Sequence, residues 1–188
     1  MPLPLTHALV PIAGAIALSQ RPVPWRLILV AAGAAMLPDV DGLSHRLLGV
    51  SDSSIFSHRG MAHSLFIALV AGAAAAAFHR SLKVSCLTAA VVIAAAMASH
   101  GLLDMMTDSG KPVAYLWPLS SERLFANWRP IHSIAIHRSH FVALTMSRLV
   151  SEIQQIIAPM ILFAFAVRIA REGLTKNKWP ITRAPRTD

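Results

Sequence analysis

Apolar residues gather in five runs, at positions 5–18, 25–37, 61–78, 84–103 and 149–167, with polar breaks between them. The last three are 18 to 20 residues long and nearly free of charge, close to the ~20 residues an α-helix needs to cross a bilayer. They predict transmembrane helices. The first two are shorter, 14 and 13 residues, and the break between them holds Pro22 and Pro24, which cannot continue a helix. They predict a short helical hairpin packed against the longer helices. Alanine and glycine are dense in the spans, as in residues 71–77, and small side chains let helices approach closely in lipid. The pattern therefore predicts an all-α polytopic membrane bundle of about five apolar helices.

Composition agrees. Of 188 residues, 55% are hydrophobic and 14% charged, against about 25% charged in soluble domains; mean hydropathy is +0.56. A disordered chain is excluded and an ordinary soluble enzyme disfavoured. The single cysteine, Cys86, permits no internal disulfide and no thiolate zinc module, and no disulfide-linked partner is expected. Any metal must be held by histidine and carboxylate. No lysine or arginine precedes the first run, so that segment is expected to stay in the mature protein rather than be cleaved as a signal peptide.

Ionisable groups inside apolar runs are costly unless paired, and here they form clusters. Thr6–His7 enters the first run, Asp39 and Asp41 leave the second, His58, Arg59 and His63 enter the third, and His100 and Asp104 leave the fourth, with Asp108 just beyond. If successive helices alternate in direction, all four clusters meet at one end of the bundle. His100 and Asp104 stand four apart, on one helical face. Four histidines with three or four aspartates and no thiolate suit Zn²⁺, with Mn²⁺ or Fe²⁺ possible. Seven candidate ligands exceed one tetrahedral shell, which leaves open two ions, or one ion with outer carboxylates. His45, His79, His132, His137 and His140 lie outside the clusters and read as ordinary polar residues.

The ordered set Thr6–His7, LPDVDG at 37–42, HRGMAHS at 58–64, HGLLDMMTDSG at 100–110 and LWPLSSERLF at 116–125 resembles the bacterial membrane-bound metal-dependent hydrolase family, also described as LexA-regulated inner-membrane hydrolases. The resemblance covers about residues 1–165. It implies kinship with zinc-dependent phospholipase C and P1-type nucleases, and a metal site of His7, Asp39, His58, His63, His100 and Asp104, with Asp41 as ligand or catalytic carboxylate. The chain departs from the family pattern at Ala62, where threonine is frequent.

On this reading residues 1–167 form a membrane-embedded hydrolase domain and 168–188 a basic tail. A metal-activated water would cleave a phospholipid or other lipid-linked phosphoester. Asp41 or Asp108 would take the proton, and Arg59 and Arg123 would hold the phosphate. A non-catalytic metal-binding or transport protein is the alternative. The expected surroundings are the lipid bilayer of the bacterial inner membrane. Nucleic acid is not expected, because six Lys and Arg in the tail with only Trp179 beside them fit anchoring better. Ten of the 17 basic residues fall at the end away from the clusters, which predicts a cytoplasmic tail and a periplasmic site.

Overall fold

The computed structural model describes residues 4–19, 22–43, 47–51, 53–131 and 141–176. These form six principal helices: α1 (Pro4–Leu18), α2 (Trp25–Met36), α3 (Leu65–Ala77), α4 (Cys86–Met105), α5 (Phe141–Glu152) and α6 (Ala158–Lys176). Short 3₁₀ turns, Leu37–Leu43 and Met61–His63, follow α2 and precede α3. Among the described residues there is no strand, only two isolated bridges, Thr107 to Ile131 and Val113 to Leu124.

Helix boundaries follow local chemistry. Ser64 and Ser85 cap α3 and α4, each side-chain oxygen accepting the backbone N–H three residues on, which satisfies one of the orphan donors of a first turn. The five-residue π-helical stretch Ile153–Ile157 joins α5 to α6. Pro159 follows at once; it has no N–H for the carbonyl four residues back and would crowd it in a regular helix, and a widened turn relieves that clash.

Two long apolar helices are long and hydrophobic enough to cross a bilayer: α4, 20 residues, and the continuous Leu149–Leu174, 26 residues. The run at 61–78 does not become a third. Gly60 and the 3₁₀ turn consume its start, so α3 is a 13-residue helix, and α1 and α2 are short as foreseen. Among the described residues the architecture is thus all-helical, with two helices long and apolar enough to span a bilayer and shorter apolar helices beside them.

The cores are built of small residues. Leu27, Ala31 and Ala35 of α2 pack on Ala89, Ile93 and Ala96 of α4, while Ala13 and Ala17 of α1 meet Ala164 of α6. Gly72 marks the closest approach of α3 to α4, since a Cβ there would lie 2.5 Å from the Ala90 carbonyl oxygen. The outward faces stay apolar. Leu162 and Phe163 are each 70% exposed, a pattern that water would penalise and lipid does not. The basic residues Arg21, Arg46 and Arg138, the histidines His45, His132, His137 and His140, and the tail beyond residue 176 lie outside the described residues.

Candidate metal centre

Four segments deliver polar side chains to one end of the bundle. The first turn of α1 brings His7, the turn after α2 brings Asp39 and Asp41, the turn before α3 brings His63, and the last turns of α4 bring His100 and Asp104. Gly101 allows this convergence, because a Cβ there would collide with the His63 carbonyl oxygen and lie 2.9 Å from the Tyr115 ring. His7, His100 and Asp104 are fully buried and His63 nearly so.

Asp39, His63, His100 and Asp104 form the inner group, each with one donor atom turned to a common centre. His63 Nε2 and His100 Nε2 stand 3.1 Å apart, and Asp39 Oδ1 lies 3.4 Å from the latter and 4.0 Å from the former. Asp104 Oδ2 is 3.5 Å from His63 Nε2 and 3.8 Å from His100 Nε2. A regular tetrahedron of such edges has its centre about 1.9–2.4 Å from each corner, the range of zinc–nitrogen and zinc–oxygen bonds. Both Asp39 oxygens are buried without a hydrogen-bond partner. Such a group is expensive unless a cation or proton completes it, and nitrogen with carboxylate oxygen is a donor set that Zn²⁺, Mn²⁺ and Fe²⁺ accept. The residues fit a divalent transition metal.

An outer layer aims these ligands. His100 Nδ1 lies 2.7 Å from the Ala35 carbonyl oxygen, which fixes its proton there and leaves the Nε2 lone pair for a metal. Asp41 faces two histidines, with Oδ2 3.1 Å from His63 Nδ1 and Oδ1 2.7 Å from His58 Nδ1. Two ligands of one tetrahedral ion sit about 3.3 Å apart, so the shorter separation reads as a hydrogen bond. Asp41, His58 and His63 form a second carboxylate–imidazole group whose ligand atoms lie within 4.8 Å of one another, and Asp41 Oδ2 and His63 Nδ1 are buried without a hydrogen-bond partner, so both alternatives the sequence leaves for Asp41, ligand or orienting carboxylate, keep their geometry. Burial raises a carboxyl pKa, yet the facing His58 and His63 prevail and hold Asp41 below its usual range. Burial likewise opposes a charged His63, but facing Asp104 and Asp41 push it up to about 9 while no metal is bound.

His7 lies beside the inner group rather than in it. Its ring stacks on that of His100 at 3.8 Å between centroids, and its Nε2 is 3.9 Å from Asp104 Oδ1. Arg59 has a different place from the one the sequence suggested. Its side chain is buried, with Nε 3.1 Å from Asp104 Oδ2, and its terminal nitrogens donate to the Lys111 and Ser109 carbonyls and to Thr107 Oγ1. Arg123 donates to the carbonyls of His58 and Ser54 and to Ser57 Oγ. Both guanidinium groups are spent on protein acceptors, tying the loops before and after α4 over the site. Asp108 is exposed and stands outside both carboxylate–imidazole groups, because the chain turns away after Met105. His79 begins the one-turn helix His79–Leu82 between α3 and α4, with Nδ1 3.1 Å from the Val84 carbonyl oxygen.

One buried acid escaped the sequence reading. Glu152, at the end of α5, is 2% exposed and accepts a hydrogen bond from Thr6 Oγ1 at 2.5 Å. It is the one acid of the run at 149–167, and that isolation was the available signal.

An all-helical chain with two helices able to span a bilayer, and a buried carboxylate–imidazole cluster at one end, is the class these features define. Over residues 1–175 the chain matches the family model described as YdjM inner membrane protein, and it belongs to that family. It is 38% identical to inner membrane protein YbcI of Escherichia coli (strain K12) over 132 residues, 70% of this chain and 76% of the relative. No solved structure matches it. The inner-membrane part of the resemblance is thereby established; neither name specifies a reaction.

Proposed function

We propose that the protein is a membrane-bound metal-dependent hydrolase acting on a phospholipid or other lipid-linked phosphoester. The observation that carries this reading is the near-tetrahedral spacing of four buried donor atoms at the end of a membrane-spanning helix. Asp39, His63, His100 and Asp104 would hold the ion. A divalent transition metal, zinc foremost, supplies a Lewis acid there for a phosphoryl oxygen and for water. Asp41 keeps the His63 ring in its ligating orientation, and Arg59 fixes Asp104 while balancing its charge. His58, part-exposed and 2.7 Å from Asp41, would accept a proton on the water side. Arg59 and Arg123 act here by holding loops, so the charge of a bound phosphoester falls to the metal. Kinship with zinc-dependent phospholipase C and P1-type nucleases belongs to this proposal, as does the periplasmic placing of the site.

A non-catalytic carrier would need its polar groups along a path through the bilayer. The clusters instead gather at one end, where headgroups lie, which favours the enzyme.

Purified protein in detergent, loaded with zinc and given a panel of bacterial lipids, should release products visible by mass spectrometry. Turnover should be lost with chelator, and in His100→Ala and Asp104→Ala together with the bound metal. His79→Ala should keep both. Retained metal without turnover of any lipid would count against hydrolysis, and equal metal loss in His79→Ala and His100→Ala would overturn the site.

A further inference from the structure

His63 faces two groups at once. Its Nε2 lies 4.0, 3.1 and 3.5 Å from the donor atoms of Asp39, His100 and Asp104. Its Nδ1, on the other side of the ring, lies 3.1 Å from Asp41 Oδ2, in the second group that His58 completes. A hydrogen bond wants its acceptor nearly in line with the N–H. Asp41 Oδ2 and His63 Nδ1 are close enough for one, yet both are buried without a hydrogen-bond partner, so their contact is misaligned. Misalignment is what two ligands of one ion show, because each lone pair is aimed at the ion and not at the other atom. His58 Nδ1, 2.7 Å from Asp41 Oδ1, closes the set from a third side. An ion there would replace the proton that this pair shares, and the two atoms would part to the ~3.3 Å of co-ligands.

We propose that His63 bridges two divalent ions, with Nε2 on the inner one and Nδ1 on an outer one held also by Asp41 and His58. The proposal rests on the metal centre of the hydrolase reading and not on the reaction. The two positions differ in kind. Four donor atoms fill a tetrahedral shell at the inner position, as structural ions are held; three at the outer one leave a place open, as catalytic ions are held. Exposure agrees, since the side chains of His58 and Asp41 are 25% and 11% exposed, against 0% for His63, His100 and Asp104. Water and a phosphoester therefore reach the outer ion first. With that ion bound, His58 is a ligand and no longer the proton acceptor of a one-ion centre. Two bonds of ~2.0 Å on opposite sides of one imidazole ring hold the ions about 6 Å apart. That exceeds the ~3.5–4 Å of ion pairs that clamp a phosphate jointly, so the outer ion handles the substrate while the inner one fixes the ring that carries it.

Full-length protein in detergent, stripped with chelator and dialysed against zinc, should retain two ions per chain by elemental analysis. His58→Ala should retain one, with an unfolding midpoint near that of the parent because the residue is part-exposed, and Asp41→Asn gives an independent second loss. Copper(II) in place of zinc reads the bridge itself. Ions joined through one imidazole ring couple magnetically, so the paramagnetic resonance signal of the first equivalent should fade as the second enters, and should persist in His58→Ala. An undiminished signal with two coppers bound would overturn the bridge. One zinc per chain in the parent, as in His58→Ala, would overturn the outer site and leave Asp41 and His58 as an orienting pair. Two ions retained in both variants would place the second ion elsewhere and overturn it as well. Two ions without turnover of any lipid would leave the bridged centre standing and remove the hydrolase reading, whereas lipid turnover by a parent holding one ion would do the reverse, so the two fail separately.

Discussion

Arg59 is the residue on which the site's geometry depends most without being able to ligate a metal. It adopts a left-handed backbone, φ 63°, a conformation costly for a non-glycine residue, and spends its guanidinium on Asp104 and three acceptors of the following loop. Lysine has one compact ammonium and cannot reproduce that fork. Arg59→Met leaves the Asp104 carboxylate buried without its partner, which typically costs about 3–5 kcal/mol. Thermal unfolding in detergent should show that loss, and saturating zinc should restore part of it by supplying the missing positive charge; an unchanged midpoint would refute the role. The raised pKa of His63 makes a second claim at this scale. Because its metal-free value lies near 9 rather than 6.5, the ion must displace a proton at neutral pH. Metal affinity should then climb with pH by up to about tenfold per unit for that one proton and level off above 9. Calorimetry in buffers of different ionisation enthalpy would count the proton released. Asp41→Asn, which removes one of the carboxylates holding it, should flatten the climb.

Among the elements, α3 and α4 form the tightest pair, and Gly72 is where they meet. A side chain there would run into the Ala90 carbonyl and Ala94 Cβ, so Gly72→Val should force the helices apart at a cost of about 1–3 kcal/mol. Gly33→Ala, where a Cβ meets nothing, should leave the unfolding midpoint unchanged or raise it. These elements were largely legible beforehand. Run length and proline breaks located α1, α2, α4 and the core of α6, and the polar clusters at run ends anticipated that His7, Asp39, His63, His100 and Asp104 would meet. Two things were not legible. His63 and Ser64 break the run at 61–78 near its start, but that the chain takes a 3₁₀ turn there and that Ser64 Oγ caps α3, leaving it 13 residues long, is seen only in the structure. The partition of roles was equally hidden, because an arginine that binds phosphate and one that braces a loop look identical in a motif. What distinguishes Arg59 is four acceptors drawn from Asp104 and residues 107–111, beyond the reach of local spacing.

At the scale of the whole molecule the two ends are chemically unlike. The end carrying the site gathers His63, Asp104 and the folded loop after α4. At the far end Arg171 donates to the Ala17 and Leu18 carbonyls that close α1. Since Glu152 bonds Thr6 near the site and Arg171 bonds Leu18 away from it, Leu149–Leu174 runs from the site end to the far end. Helix α4 makes the opposite passage, with exposed Cys86 at its start and His100 near its finish. The end of α6 and Cys86 therefore share a side, and Ser121 in the loop after α4 lies on the other. For the sign of this arrangement we rely on the charge bias of the sequence, in which ten of the 17 basic residues fall outside the loops that carry the polar clusters, and propose that the far end is cytoplasmic. In spheroplasts, a membrane-impermeant maleimide should label Ser121→Cys in a Cys86→Ala background without permeabilisation, and the native Cys86 only after it. A fluorescent protein fused behind Asp188 should glow, whereas a phosphatase fused there should stay inactive. Labelling of Cys86 in intact spheroplasts, with Ser121→Cys protected, would invert the topology and put the metal centre on the cytoplasmic leaflet.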